Sequence, residues 1–352
     1  MTPFNKNNEK VNKQVAIDDN TLNIMMVLVA TITALLIMVA VYFIVVGVTS
    51  SPDSPIGGGD KPVSGDASYP FKQEISLKLP TYKDDSATIS GTSSEYSVLL
   101  NLSDNEIVAS KRSSTTIYPA SMTKIMTLIV VFENLPNKEA LDTVLTINIP
   151  RGEHSGYGFE IGEKLTVRDL IYAAVLQSDG VACITLAEYI AGSEAAFVKL
   201  MNDKVRELGL LDGDPENLPS TNFTNCSGLH EQYHFTTAYD MAVITAYAMQ
   251  NTYCADVLTA ISYKPSENFR PGEGCTFWHS LLHNRLNDGA LQPSTATIKG
   301  GKTGWTGDES GYCIASFAEG KDGNRYILVT AKAESWVTAV DDSINIYKNY
   351  AK

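Results

Sequence analysis

Positive charge is scarce in this sequence. Its 27 lysines and arginines are outnumbered by 40 aspartates and glutamates, for a net charge of -13. A nucleic-acid partner needs a basic face, so no nucleic acid is expected. Histidine is also sparse. Of the five, His230 and His234 stand at i, i+4 outside any His-Glu-x-x-His pattern and are read as loop histidines. Cysteines 183, 226, 254, 275 and 313 show neither Cys-x-x-Cys nor mixed Cys/His ligand spacing, so no metal site is expected. Five thiols cannot all pair within the chain. No long block of one charge sign and no internal period occurs, which sets aside repeat architectures.

What is present is an ordinary globular composition with one long apolar run. The 352 residues are 44% hydrophobic and 19% charged, enough for one large domain or two of common size. Residues 24–48 carry no charge. As a helix that run exceeds the ~30 Å hydrocarbon core. A cleavable signal has a shorter apolar region, about 7–15 residues, and a small-residue cleavage site, which is not found after this run. Residues 22–49 are therefore read as an uncleaved transmembrane signal anchor. Lys6, Lys10 and Lys13 precede it, and the next positive residue after it is Lys61. That bias leaves residues 1–21 as a cytoplasmic tail and the rest outside a cell membrane crossed once. Residues 50–74 are rich in Ser, Pro and Gly and read as a flexible linker, with a coil span of roughly 25 Å. The folded domain is placed at 75–352.

Within that domain residues 94–102 and 107–111 suggest two strands around a turn at 103–106. Helical patterns follow. The first runs from Ser121 and ends by Pro136. A Gly-rich loop covers 151–162. Thr166-Val167-Arg168-Asp169 is a capping-box start. Ser193 opens a helix with Phe197, Met201, Val205 and Leu208 on one face. Thr237 and Asp240 cap another. The end of the chain turns to strands at 297–306, 312–318 and 325–333, with a turn at Asp322-Gly323 and a last helix at 337–350. Strands, a helical block, strands and a helix make an α+β order in which the first and last strands can share one sheet.

Three short elements carry chemistry. Ser121-Met122-Thr123-Lys124 follows Pro119 at a predicted helix start and places Lys124 on the same face as Ser121. A serine hydroxyl needs a base, and a lysine amine serves only if burial or a neighbouring cation depresses its pKa. Ser178-Asp179-Gly180 lies between two helices and offers a second hydroxyl as proton shuttle. Lys302-Thr303-Gly304-Trp305 lies on a late strand. A cation, a hydroxyl and a glycine that lets a ligand approach suit an anionic carboxylate. His154-Ser155-Gly156 is a looser match to the third pattern, discounted because it falls in the Gly-rich loop ahead of the helical block.

Ser-x-x-Lys, a Ser-x-Asn-like triplet and Lys-Thr-Gly in this order resemble the penicillin-recognising serine enzymes. The flanks resemble their D-alanyl-D-alanine carboxypeptidases, the low-molecular-weight penicillin-binding proteins. The matching stretches are 118–127, 162–170, 221–225 with 227–229, 236–242, Asn284-Arg285-Leu286, 302–306 and 311–313, and the likeness covers about residues 93–350. It implies a β-lactamase/transpeptidase-like fold: an antiparallel sheet flanked by helices with an inserted helical subdomain. It implies removal of the terminal D-Ala from peptidoglycan stem peptides ending in D-Ala-D-Ala, reaction with β-lactam antibiotics, and no cofactor. Ser121 would form the acyl-enzyme and Lys124 act as base. Ser178 would relay a proton. Lys302 and Thr303 would bind the terminal carboxylate, beside Gly304 and Trp305. The amides of Ser121 and Trp305 would form the oxyanion hole.

The chain departs from that pattern at Gly180, where the family usually has Asn. The amide that would hold Lys124 and the substrate's peptide carbonyl is absent, a loss of a few kcal/mol in transition-state stabilisation. One alternative is therefore a penicillin-binding module that acylates yet hydrolyses little, which Gly180→Asn would repair. A β-lactamase is the other; it needs a deacylating base, and Glu216 stands at a suitable distance but in an apparent inserted loop, 212–220. Cys254 and Cys275 flank a loop in which they could pair.

Overall fold

The computed structural model describes residues 71–210, 220–283 and 291–351. The expected tail, the anchor, most of the linker, nearly all of the inserted loop with Glu216, and Asn284-Arg285-Leu286 lie outside the described residues. Among the described residues no single helix is long and apolar enough to cross a membrane.

Six strands make the main sheet: β1 (Thr81–Thr88), β2 (Tyr96–Asn101), β3 (Glu106–Lys111), β4 (Ala296–Gly304), β5 (Tyr312–Gly320) and β6 (Arg325–Ala333). Their order is β1-β3-β2-β6-β5-β4. The first and last segments do share it: β2 runs antiparallel to β6, with Val98 opposite Val329 and Leu100 opposite Ile327. Side chains alternate across the sheet. Val98, Leu100, Ile327 and Val329 join one core, and Leu99 and Leu328 the other. Burial on both faces is why these strands read as unbroken apolar runs. One strand departs from the expected antiparallel pattern. β1 lies at the edge and pairs parallel with β3. Its polar sequence is mostly exposed, so it has no apolar alternation to read.

Between β3 and β4 the described residues form six α-helices: α1 (Lys124–Asn134), α2 (Val167–Leu176), α3 (Gly180–Ala191), α4 (Glu194–Glu207), α5 (Ala238–Gln250) and α6 (Thr252–Thr259). Helix α1 is buried on every side from Lys124 to Glu133, which accounts for its uniformly apolar run. The capping box of Thr166 and Asp169 forms at α2, Ser193 caps α4, and Thr237 caps α5 through the Asp240 N–H. Helix α6, not foreseen, is only eight residues long, started by the Asn251 side chain. Helix α7 (Trp336–Tyr350) packs on the second core, and its Asp342 accepts from the amide and hydroxyl of Ser94.

Two further details differ from expectation. Phe71, in the stretch assigned to linker, is buried against Phe132 and Tyr253, and its carbonyl accepts from the Asn251 amide. The five thiols are free. Cys254 is buried in α6 and Cys275 is half-buried beside Tyr157, so the Cys254–Cys275 pair is not formed.

Candidate active site

Ser121 lies where the edge strand β4 meets the start of α1. Ala120–Thr123 form a 3-10 turn and the α-helix proper begins at Lys124. The serine therefore precedes the helix rather than occupying its first α-turn. The cause is Ala120, whose φ is 47°. A non-glycine residue in the left-handed region costs on the order of 1–3 kcal/mol and persists only where its surroundings hold it. Here the hold is a relay of hydrogen bonds. The Thr224 amide donates to His234 Nδ1 at 3.1 Å, His234 Nε2 lies 2.7 Å from Thr123 Oγ1, and Thr123 Oγ1 donates to the Ala120 carbonyl at 2.7 Å. Because Nδ1 accepts, Nε2 carries the proton and donates. Burial pushes His234 down to about 3, keeping the ring neutral. His234 is a loop residue, as expected, but nothing in the chain marks its contact with Thr123, 111 positions away.

Lys124 reaches back along the same face. Its Nζ lies 2.9 Å from Ser121 Oγ and donates also to the Ser227 carbonyl. That carbonyl belongs to a loop folded around Asn225, whose Oδ1 accepts from the amides of Ser227, Gly228 and Leu229. Thr127 Oγ1 fastens the loop to α1 by donating to the Cys226 carbonyl. Lys124 is buried, and burial is the main cause lowering its pKa; the nearby Cys183, Cys226 and Asp179 act weakly the other way. Burial, more than a second cation, thus makes this amine a base. The second cation matters to Lys302, which burial first and the Lys124 charge next push well down.

Ser178 joins α2 to α3 with a φ of 56°, and its Oγ accepts from Lys302 Nζ at 3.0 Å. The described contacts thus link Ser121 with Lys124 and Ser178 with Lys302. Asp179 uses its carboxylate on backbone amides, Oδ1 at Ala182 and Oδ2 at Tyr157. On β4, Lys302 Nζ also donates to the Thr303 carbonyl, and Thr303 Oγ1 lies 3.2 Å from Ser280 Oγ. Gly304 allows a close approach within the fold itself. A Cβ there would stand 2.9 Å from the Pro119 carbonyl and 3.1 Å from the Ser121 nitrogen. The close approach is that of the serine's own turn, which brings the end of β4 against the Ser121 amide. Trp305 follows, half-exposed and stacked on Tyr312.

These elements border an open cleft of about 380 Å³, lined among others by Ser121, Lys124, His154, Gly180, Ser227 and Trp305. Among the described residues no cluster of His, Cys, Asp or Glu could hold a metal ion. A hydroxyl hydrogen-bonded to a buried amine can carry out acyl transfer to serine.

The sequence model of D-alanyl-D-alanine carboxypeptidases matches residues 83–335. The chain belongs to this family. Among its relatives, D-alanyl-D-alanine carboxypeptidase DacF of Bacillus subtilis (strain 168) is 31% identical over 233 residues, 64% of this chain and 54% of DacF. The D-alanyl-D-alanine carboxypeptidase of Streptomyces sp. (strain K15) is 27% identical over 250 residues, 68% of this chain and 80% of that protein. The chain spans about half the length of DacF and of DacD of Salmonella typhimurium. In structure it resembles penicillin binding protein 5 of Haemophilus influenzae, with TM-score 0.63, 24% identity, and 74% of this chain and 72% of the other covered. It also resembles Penicillin-Binding Protein D2 of Listeria monocytogenes in its cefotaxime-bound form, with TM-score 0.60, 21% identity, and 74% and 98% covered. These likenesses establish a penicillin-binding, transpeptidase-like α+β fold.

Proposed function

We propose that this family member is a membrane-anchored serine DD-carboxypeptidase that removes the terminal D-Ala from peptidoglycan stem peptides through an acyl-enzyme on Ser121. The observation that carries the reading is the 2.9 Å contact between Lys124 Nζ and Ser121 Oγ, with the amine buried and its pKa lowered.

The steps of this reading use the groups described above. The neutral Lys124 amine takes the Ser121 proton as Oγ attacks the carbonyl of the penultimate D-Ala. The oxyanion forms beside the backbone amides of Ser121 and Trp305. The C–N bond then breaks, and the leaving D-Ala nitrogen takes the proton held by Lys124, passed through the Ser178 hydroxyl, which returns Lys124 to its neutral form. Water attacks the ester, giving its proton to Lys124, and the shortened peptide leaves with Ser121 restored. Lys302 and Thr303 hold the terminal carboxylate. That anion beside Lys302 opposes the burial that depresses its pKa, so binding favours the charged lysine. β-Lactam antibiotics acylate the same serine. Residues 24–48 anchor the chain in the cell membrane, with the N-terminus cytoplasmic and the catalytic domain outside.

The full chain is expected to release D-Ala from a synthetic pentapeptide ending in D-Ala-D-Ala and to take a fluorescent penicillin covalently, and Ser121→Ala to abolish both. Labelling of Ser121→Ala would overturn the assignment. The second reading, a module that acylates but hydrolyses little, is favoured by Gly180, which leaves no side-chain amide beside Lys124. Normal labelling without D-Ala release would establish it. Rapid penicillin turnover would instead indicate a β-lactamase.

A further inference from the structure

The glycine at 180 is matched by a neighbour. A Cβ on Gly180 would lie 2.8 Å from His154 Nδ1, 2.9 Å from its Cβ and 3.0 Å from its Cγ. Contacts that short force one side to move, so the His154 ring stands where a side chain at 180 would begin. The fit is built in. The Gly180 amide donates to the Ser155 carbonyl at 3.0 Å. Ser155 Oγ donates to the Ser178 carbonyl at 3.2 Å, and the Tyr157 amide donates to Asp179 Oδ2 at 2.8 Å. Gly156 admits this approach, since a Cβ there would run into the Asp179 backbone. Every residue of the triplet 178–180 is thus tied to the 151–162 loop.

The ring faces chemistry. His154 lines the cleft with Ser121 and Lys124, and its Nδ1 is buried without a hydrogen-bond partner. A buried polar atom without a partner costs about 1–3 kcal/mol. Burial first, and the Lys124 charge, lower its pKa, while Glu194, Asp179 and Glu153 act the other way. With Nδ1 buried against Gly180, the nitrogen the ring can offer a ligand is Nε2, as donor or acceptor according to the tautomer.

We propose that His154 is a substrate-binding residue that takes the place of the side-chain amide missing at Gly180, its ring hydrogen-bonding the stem-peptide backbone as it lies against Ser121. This rests on the carboxypeptidase reading above. It also reverses the expectation drawn from the sequence: Gly180→Asn does not repair the site while His154 is in place, because the new side chain collides with the ring.

The test uses the full chain and five forms: wild type, His154→Ala, His154→Gln, Gly180→Asn and the double variant His154→Ala/Gly180→Asn. The readouts are the acylation rate with fluorescent penicillin, kcat/KM for D-Ala release from the pentapeptide, and the melting temperature. His154→Ala is expected to lose roughly 10- to 100-fold in both rates, the worth of one substrate hydrogen bond, with the fold retained. His154→Gln, which keeps a donor and an acceptor, is expected to retain most of the activity. Gly180→Asn alone is expected to fall below wild type, and the double variant to exceed both single variants, a strongly non-additive cycle. Wild-type kcat/KM in His154→Ala, or in Gly180→Asn, overturns the proposal and leaves the carboxypeptidase reading standing. A wild-type chain that neither labels nor releases D-Ala overturns both.

Discussion

Two buried lysines in this molecule have opposite surroundings. Lys204, on α4, has Glu133 at 2.6 Å and Glu207 at 2.7 Å, with the Tyr247 hydroxyl at 3.4 Å. Lys124, on α1, meets a serine hydroxyl and a backbone carbonyl, and its pKa is lowered by burial. Side-chain exposure is 5% for Lys204, and Lys124 as a whole is 2% exposed, so burial alone does not tell them apart. The counter-ions do. A buried lysine paired with carboxylates ties elements together. A buried amine without them is biased toward its neutral form, which is what proton abstraction requires. Helix α1 carries both ends of this contrast, Lys124 at its start and Glu133 one residue from its end.

The sharpest way to break the contrast is to replace each lysine by methionine. Lys124→Met is expected to lower the acylation rate by about 10²–10⁴-fold, the worth of a general base. Its melting temperature is expected to stay level or rise, because an apolar side chain replaces a buried amine that has no counter-ion. Acylation kinetics and a thermal scan decide it. A melting point that drops steeply would mean that Lys124 is a structural ion and would remove the distinction.

Lys204→Met is expected to do the reverse. It leaves Glu133 buried without its cation, a cost of about 3–5 kcal/mol. At roughly 2–4 °C per kcal/mol for a domain of this size, the melting point falls by about 6–20 °C. Penicillin labelling per folded molecule stays at the wild-type level. Adding Glu133→Gln is expected to recover much of the loss, since the two residues act as one unit. A labelling rate that falls with Lys204→Met at temperatures where the chain is folded would show that the two regions are coupled through α1.

How far these sites could be read from the chain depends on how local their signals are. Ser121, Lys124 and the capping residues Thr166 and Thr237 speak within three or four positions; the structure places the last three in the expected kind of element and sets Ser121 in a 3-10 turn just ahead of its helix. Strands β2 and β6 were legible because their apolar runs are buried on both faces. Strand β1 was not, because it gains its place from edge pairing and shows no periodicity. Burial as the leading cause of the Lys124 shift was also hidden, since it depends on the surrounding core. The closeness of His154 to Gly180 was hidden for a different reason: it comes from a loop folding back over 26 residues of sequence. His234 left no trace at all, because its partners, Thr123 and Thr224, are ordinary threonines.

His234 supplies the smallest and most selective test, since it is another buried titratable group on the cleft side that faces no carboxylate in its described contacts. Its pKa is pushed down to about 3 in the folded chain, against about 6.5 when unfolded. The unfolded chain therefore binds a proton that the folded chain refuses. The stability this position contributes is intact above about pH 6.5 and is lost as pH falls below it, by about 1.4 kcal/mol per pH unit. His279, held at about 4 by burial, acts in the same direction. Between pH 6.5 and 5 His234 alone accounts for roughly 2 kcal/mol. His234→Gln keeps a neutral group but removes the titration, so urea unfolding at the two pH values is expected to show a gap smaller by about that amount than in wild type. Lys204→Met is expected to leave the gap unchanged. If His234→Gln leaves it unchanged as well, the acid sensitivity lies elsewhere, and the relay from Thr224 to Ala120 does not depend on a neutral ring.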